Sequence, residues 1–268
     1  MISDLNKIAE KVKDIKAFVL DMDGTIYLGK ELFPYTHKFL DKVTATDRRY
    51  YFFTNNSSRS LNDYVVKLHN MGIEITPNQM MISTQVILEF LNTHHKHETV
   101  YVVGTPALVN EFVQDGWTIN DVNPDLVILG FDTTLNYDKL SKACTFIRNG
   151  ATYYGINPDL NCPMENNVFI PDCGSIAKLI EASTKRYPEF FGKPSKRTLD
   201  YIIKTTGLKP EQIAIIGDRI YTDIAVAAHS KVCSILVMSG ETTKKILDNS
   251  QIKPDIIIQD IGLLADLL

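Results

Sequence analysis

Short apolar runs bounded by polar and turn residues recur along the chain: Ala17–Leu20, Tyr50–Phe53, Val100–Val103, Leu126–Leu129, Thr152–Tyr154, Ile213–Ile216, Ser234–Val237 and Ile256–Ile258. They are rich in Val, Ile, Phe and Tyr, and most do not alternate with polar residues. That pattern predicts strands buried on both faces, as in a parallel sheet covered by helices. Between the runs the apolar spacing changes to the helical period. Leu61, Val65 and Leu68 share one face of a segment from about 61 to 70, with Gly72 soon after it. A second helix is predicted over roughly 86 to 94. A third follows Pro194, with Leu199, Ile202 and Ile203 turned inward, Gly207 as its cap and Pro194 in its first turn. Strand–helix alternation of this kind predicts an α/β fold, doubly wound.

Composition narrows the class without naming a function. The chain has 268 residues, 44% hydrophobic and 22% charged. These values suit a soluble globular protein of one large or two smaller domains. Lys and Arg number 28 against 32 Asp and Glu, a net charge of −4. No basic excess points to nucleic acid, and the pairs Arg48-Arg49, Lys185-Arg186 and Lys244-Lys245 read as solvated surface. No apolar run is long enough to span a bilayer. The charged, helical N-terminal stretch lacks the apolar block of an export signal, so cytoplasmic residence is expected. None of the four cysteines lies in a C-x-x-C pair, and reduced thiols are expected; Cys162 and Cys173 read as small packing residues.

Candidate chemistry falls at the ends of predicted strands, where open parallel sheets bind ligands. Asp21-Met22-Asp23-Gly24-Thr25 follows Ala17–Leu20. Two acids at i and i+2 can divide nucleophilic and acid–base work when their surroundings separate their pKa values. Gly24 permits a sharp turn and offers an N–H to an anion. Thr54-Asn55-Asn56-Ser57 follows Tyr50–Phe53, and its hydroxyl and backbone N–H groups suit phosphate oxygens or, equally, a helix N-cap. Gly192-Lys193-Pro194 is expected to set Lys193 at a helix N-terminus, a place that disfavours lysine unless an anion is present. Gly217-Asp218-Arg219-Ile220-Tyr221-Thr222-Asp223 follows Ile213–Ile216. Asp218 beside Asp21 and Asp23 would repel them unless a cation joins the set, and few oxygen ligands completed by water describe Mg²⁺. Asp223 either caps the following helix, supports the metal site or ligates directly. His94, His95 and His97 are placed at a helix end rather than in a metal site. Trp117 reads as packing, and one of Tyr153 and Tyr154 is expected to face a core.

The ordered set DMDGT, TNNS, GKP and GDRIYTD resembles the haloacid dehalogenase-like (HAD) superfamily of phosphatases. The likeness extends over nearly the whole chain, and is greatest to the branch of p-nitrophenyl phosphatases, pyridoxal-phosphate phosphatase and the phosphatase of the N-acetylglucosamine operon. It implies a Rossmann-like parallel-sheet core over 1–82 and 187–268, with an α/β cap inserted over 83–186. The middle motif-poor stretch suits such a cap, with Asn157-Pro158-Asp159 and Pro171-Asp172-Cys173-Gly174-Ser175 at corresponding points. The resemblance implies a Mg²⁺-dependent hydrolase of small phosphate esters. Asp21 would be the nucleophile that becomes an aspartyl phosphate, and Asp23 the acid and then base. Thr54 and the N–H of Asn55 would hold phosphoryl oxygens, and Lys193 would neutralise their charge. Asp21, the Asp23 carbonyl and Asp218 would hold the metal with support from Asp223. Asp159 and Asp172, on cap loops, are candidates for substrate contact. Caps of this branch often carry a dimer contact, so a homodimer through the cap is a further expectation. A phosphoacceptor switch uses similar residues but is about half as long and has no cap, and a phosphomutase shares the fold.

Overall fold

The computed structural model describes residues 2–164 and 168–268. In chain order the strands are β1 (Ala17–Leu20), β2 (Tyr27–Leu28), β3 (Glu31–Leu32), β4 (Arg49–Thr54), β5 (Met80–Ile82), β6 (Val100–Val103), β7 (Leu126–Leu129), β8 (Thr152–Gly155), β9 (Asn161–Pro163), β10 (Phe169–Pro171), β11 (Glu189–Phe190), β12 (Ile213–Gly217), β13 (Cys233–Val237) and β14 (Ile256–Ile258). Every strand expected from the apolar runs is present. The short strands β2, β3, β9, β10 and β11 carry too few apolar residues to announce themselves, and β5, three apolar residues, runs straight into the helix Ser83–His94.

The chain divides into two compact units, one of Met1–Thr54, Val65–Met81 and Thr198–Leu268, the other of Asn55–Tyr64 and Ile82–Arg197. Residues 83–186 lie wholly within the second, together with 55–64 and 187–197. The first unit is built on a six-stranded sheet in the order β14-β13-β12-β1-β4-β5. β1 pairs in parallel with β12 on one side and β4 on the other, and β12, β13 and β14 continue in parallel. Chain order therefore reverses beside β1, which is the switch point where the strand ends leave room for a ligand. Ala17, Phe18, Val19 and Leu20 are all buried, as are the residues of β12. That is why these strands read as unbroken apolar runs.

The second unit has its own parallel sheet in the order β11-β8-β7-β6. Three helices follow the alternation: α1 (Pro106–Gln114), α2 (Tyr137–Arg148) and α3 (Cys173–Thr184). Each starts at a side-chain cap, Thr105, Asn136 and Asp172 respectively, which satisfies a free N–H of the first turn. Phe146 and Ile147 of α2 and Ile176, Ala177 and Ile180 of α3 pack with Val103, Val127, Leu129 and Tyr153 into one core. Tyr153 belongs to this core, and Tyr154 is buried as well, packed against Phe90 and Phe191. Tyr154 meets His95 across a 3.1 Å hydrogen bond, and His94 stacks on Phe90. Trp117 is buried, and none of the four cysteines is joined in a disulfide. No helix among the described residues is long and apolar enough to cross a membrane.

The helix after Pro194 differs from expectation in its start. α4 spans Lys196–Thr206, so Pro194 lies before its first turn and Lys193 is not at the helix N-terminus. Asn55 takes both backbone groups of Lys193 with its side-chain amide, and Ser195 N–H closes a turn onto the Gly192 carbonyl at 2.9 Å. The Lys193–Pro194 peptide is cis, and with these bonds the Gly192–Ser195 backbone lies outside the helical ladder. The end is as expected: Gly207 adopts a positive φ of 66°, and its N–H caps Ile203 at 3.0 Å.

Ile215, 2% exposed in β12, supports the first unit from its central sheet. Ile215→Ala is expected to cost about 2–5 kcal/mol, read as a lower denaturant midpoint with the far-UV spectrum of the native state unchanged.

Candidate active site

The carboxyl ends of β1, β4 and β12 present Asp21, Thr54 and Asp218. The register aligns Leu20 with Phe52 and Ile216, so Asp21 stands level with Gly217 on one side and Phe53 on the other. Asp21 N–H continues the ladder to the Ile216 carbonyl at 2.8 Å, which holds its backbone to the sheet. Asp218 follows at the end of β12. Asp223 enters from one helical turn further on, within a π-helical stretch over Ile220–Ile224, and its Oδ2 accepts from the Arg219 N–H at 3.0 Å.

Asp21, Asp218 and Asp223 each bring a carboxylate oxygen within 4.8 Å of the others. Asp218 and Asp223 are 2% and 1% exposed. Burial, and then the charges of Asp21 and Asp223, push the Asp218 carboxyl well above the usual carboxylate range; Arg219 and the Glu241 N–H act in the opposite direction. One oxygen of Asp218, Oδ2, accepts from Glu241 N–H at 2.6 Å. The other, Oδ1, is buried without a hydrogen-bond partner. A buried carboxylate oxygen with no donor beside two more carboxylates is costly unless a cation satisfies it. Three carboxylates are hard donors suited to Mg²⁺. The residues therefore fit a divalent cation, and Asp223 belongs with Asp21 and Asp218 in the cluster. No other group of three or more candidate metal ligands occurs among the described residues, so the histidines at 94, 95 and 97 do not form one.

Asp23 is not part of this cluster. Burial raises its pKa, and Lys67 and Arg219 oppose the rise. Gly24 departs from expectation in one respect: its φ is 84°, as a sharp turn requires, but its N–H is taken by the Tyr27 carbonyl at 2.8 Å and is not offered to an anion.

Several site residues were not anticipated. The loop Ser239-Gly240-Glu241-Thr242 follows β13 and wraps Asp218. Ser239 Oγ donates to the Gly24 carbonyl at 2.7 Å, and Thr242 N–H donates to the Asp218 carbonyl at 3.2 Å. Gly240 presses so close that a Cβ there would fall 2.1 Å from Asp218 Oδ2. Glu241 also pairs with Arg219 at 2.9 Å and accepts from the Tyr221 hydroxyl. A Ser-Gly turn directly after a predicted strand was the available signal. Lys67, whose ammonium lies 3.8 Å over the Tyr27 ring, had none, since it sits on an ordinary amphipathic helix.

In the second unit, Asn55 is 8% and Lys193 3% exposed, and their segments are joined by the Asn55 amide. Asp159 and Asp172 are also buried, and both accept hydrogen bonds from Asn157.

The chain is similar to known proteins over most of its length. A haloacid dehalogenase-like hydrolase model matches residues 18–118, and a HAD-hydrolase-like model matches residues 190–264. An acid sugar phosphatase of Staphylococcus epidermidis is 30% identical over 253 residues, which cover 94% of this chain and 97% of that protein. The chain belongs to the haloacid dehalogenase-like hydrolase family. Other HAD members extend the likeness. A dihydroxyacetone phosphatase of Corynebacterium glutamicum is 30% identical over 93% of this chain and 90% of its own. The structure of a 4-nitrophenylphosphatase from Thermotoga maritima superposes with a TM-score of 0.92 at 40% identity, covering 96% of this chain and 98% of that one. This HAD protein is an enzyme, a phosphatase.

The acidic cluster has a thermodynamic signature. The pKa of Asp218 is raised on folding, so the stability it contributes is full below its unfolded value near ~4 and is lost as pH rises through the higher folded value. Asp218→Asn keeps the hydrogen-bond acceptor and removes the charge. In chelator, the variant is expected to melt above the native protein by a margin that grows with pH. Added Mg²⁺ is expected to raise the native melting temperature and not that of the variant. Equal melting temperatures in chelator at pH 8 would show that the three charges do not strain the fold.

Proposed function

We propose that this phosphatase hydrolyses small phosphomonoesters, of the sugar-phosphate kind, with Mg²⁺ in the Asp21–Asp218–Asp223 cluster and an aspartyl phosphate on Asp21. The reading is carried by the buried, partner-less Asp218 oxygen beside two further carboxylates at the switch point of the sheet. The names of the relatives, acid sugar phosphatase and dihydroxyacetone phosphatase, support the substrate class.

In this reading an Asp21 carboxylate oxygen attacks phosphorus in line with the ester oxygen. The phosphorus–oxygen bond to the leaving alcohol breaks as Asp23 donates its proton to that oxygen. The raised pKa of Asp23, kept up by burial, suits a group that must begin protonated. Asp23, now a carboxylate, accepts a proton from water. That water attacks the same phosphorus and breaks its bond to Asp21, so the enzyme returns to its starting state with inorganic phosphate released. The Thr54 hydroxyl and the Asn55 N–H bind phosphoryl oxygens, and the Lys193 ammonium offsets their charge. Asp21, the Asp23 carbonyl and Asp218, with Asp223 in support, would hold a divalent cation, which would supply Lewis-acid neutralisation of the phosphate and the nucleophile. Residues 83–186 serve as the inserted, substrate-selecting cap of a core formed by 1–82 and 187–268.

Asp21→Asn is expected to reduce turnover of p-nitrophenyl phosphate in Mg²⁺ by a factor on the order of 10⁴ or more, with folding intact by circular dichroism; retained turnover overturns the nucleophile. A panel of phosphorylated sugars, trioses and nucleotides ranked by kcat/KM tests the substrate class. Preference for nucleotides over sugar and triose phosphates would overturn it.

A further inference from the structure

A single side chain holds the backbone of Lys193. Asn55 Nδ2 donates to the Lys193 carbonyl at 2.9 Å, and Asn55 Oδ1 accepts from the Lys193 N–H at 2.8 Å. The amide thus makes both bonds that a neighbouring strand would otherwise offer one residue. Gly192 permits the approach, because a Cβ there would fall 2.7 Å from Asn55 Oδ1.

An amide can bind in this way only in one orientation. Rotated by 180°, Asn55 would oppose N–H to N–H and oxygen to oxygen. The second proton of Asn55 Nδ2 goes to Asp159 Oδ2 at 2.8 Å. A carboxylate accepts hydrogen bonds and donates none, so Asp159 selects the orientation that Lys193 needs. Asp159 is fixed in its turn. The same oxygen accepts from Asn157 Nδ2 at 3.0 Å, and Asn157 Nδ2 also donates to Asp172 Oδ1 at 3.1 Å. Asn157 Oδ1 accepts from Ser57 Oγ at 2.8 Å, and Ser57 Oγ accepts from the Phe131 N–H at 2.8 Å. Asn55, Ser57, Asn157, Asp159 and Asp172 are all buried. Each bond is therefore shielded from water, and breaking one strands a polar group.

We propose that Asp159 is a positioning residue for Lys193, acting through the Asn55 amide, and is not a substrate contact. Asn157 and Ser57 anchor Asp159 to the β7–α2 connection at Phe131. The Lys193 backbone, and with it the starting point of its ammonium, is set by this relay. The inference rests on the reading of Lys193 as the cation that offsets phosphate charge.

The test is a binding cycle in the full chain with Mg²⁺, titrating inorganic phosphate calorimetrically into the native protein, Lys193→Met, Asp159→Ala and the double variant. Lys193→Met is expected to weaken phosphate binding. Asp159→Ala is expected to weaken it by on the order of 10-fold or more, as losses of supporting hydrogen bonds do, and to add nothing in the Lys193→Met background. Asp159→Asn retains an acceptor oxygen and is expected to fall between native and Asp159→Ala; it carries the same cycle if the alanine variant does not fold. An equal loss from the Asp159 change in both backgrounds, or no loss in the native background, overturns the positioning role alone. Unchanged phosphate binding in Lys193→Met overturns the reading of Lys193 and this inference with it.

Discussion

Mutual repulsion among Asp21, Asp218 and Asp223 is the constraint around which the first unit is arranged. Three carboxylates within 4.8 Å, two of them almost wholly buried, favour unfolding unless something offsets their charge. The surrounding backbone offsets part of it. Glu241 N–H donates to Asp218, and Arg219 N–H donates to Asp223. Gly240 brings its backbone against Asp218, where any side chain would collide. What remains is one unpartnered oxygen, and that unmet charge is what would give a divalent cation its affinity. The sheet's contribution is rigidity, because parallel strands paired on both sides keep the Asp21 and Asp218 backbones from moving apart.

The second unit handles buried polarity differently. There the carboxylates of Asp159 and Asp172 accept from neutral amides, and the network ends in backbone groups at Lys193 and Phe131. Such a network specifies one geometry. It also gives a physical reason for the grouping of residues 55–64 and 187–197 with 82–186: Asn55, Ser57, Gly192 and Lys193 are tied to Asn157 and Asp159 by buried hydrogen bonds.

The strands were legible in the sequence because burial on both faces removes polar residues from them; Ala17–Leu20, Val100–Val103, Leu126–Leu129 and Ile256–Ile258 coincide with their observed bounds. The carboxylates were legible because each acidic motif directly follows such a run. Lys67 was not, since one lysine on a solvated helix looks like any other. The start of α4 was not either: Pro194 is a good first-turn residue by local preference, yet the helix begins at Lys196, and the Lys193 backbone is bonded instead to the Asn55 amide 138 positions away.

The sequence by itself determined the α/β alternation, the strands that end in Asp21, Thr54 and Asp218, and the family, because these depend on local patterns of burial and on short motifs. Tertiary structure alone decided that Asp223 joins Asp21 and Asp218, that the loop after β13 wraps Asp218, and that Asp159 faces Asn55. Those outcomes depend on hydrogen bonds and charge contacts between residues far apart in the chain, and no local pattern encodes which distant groups folding will bring within reach.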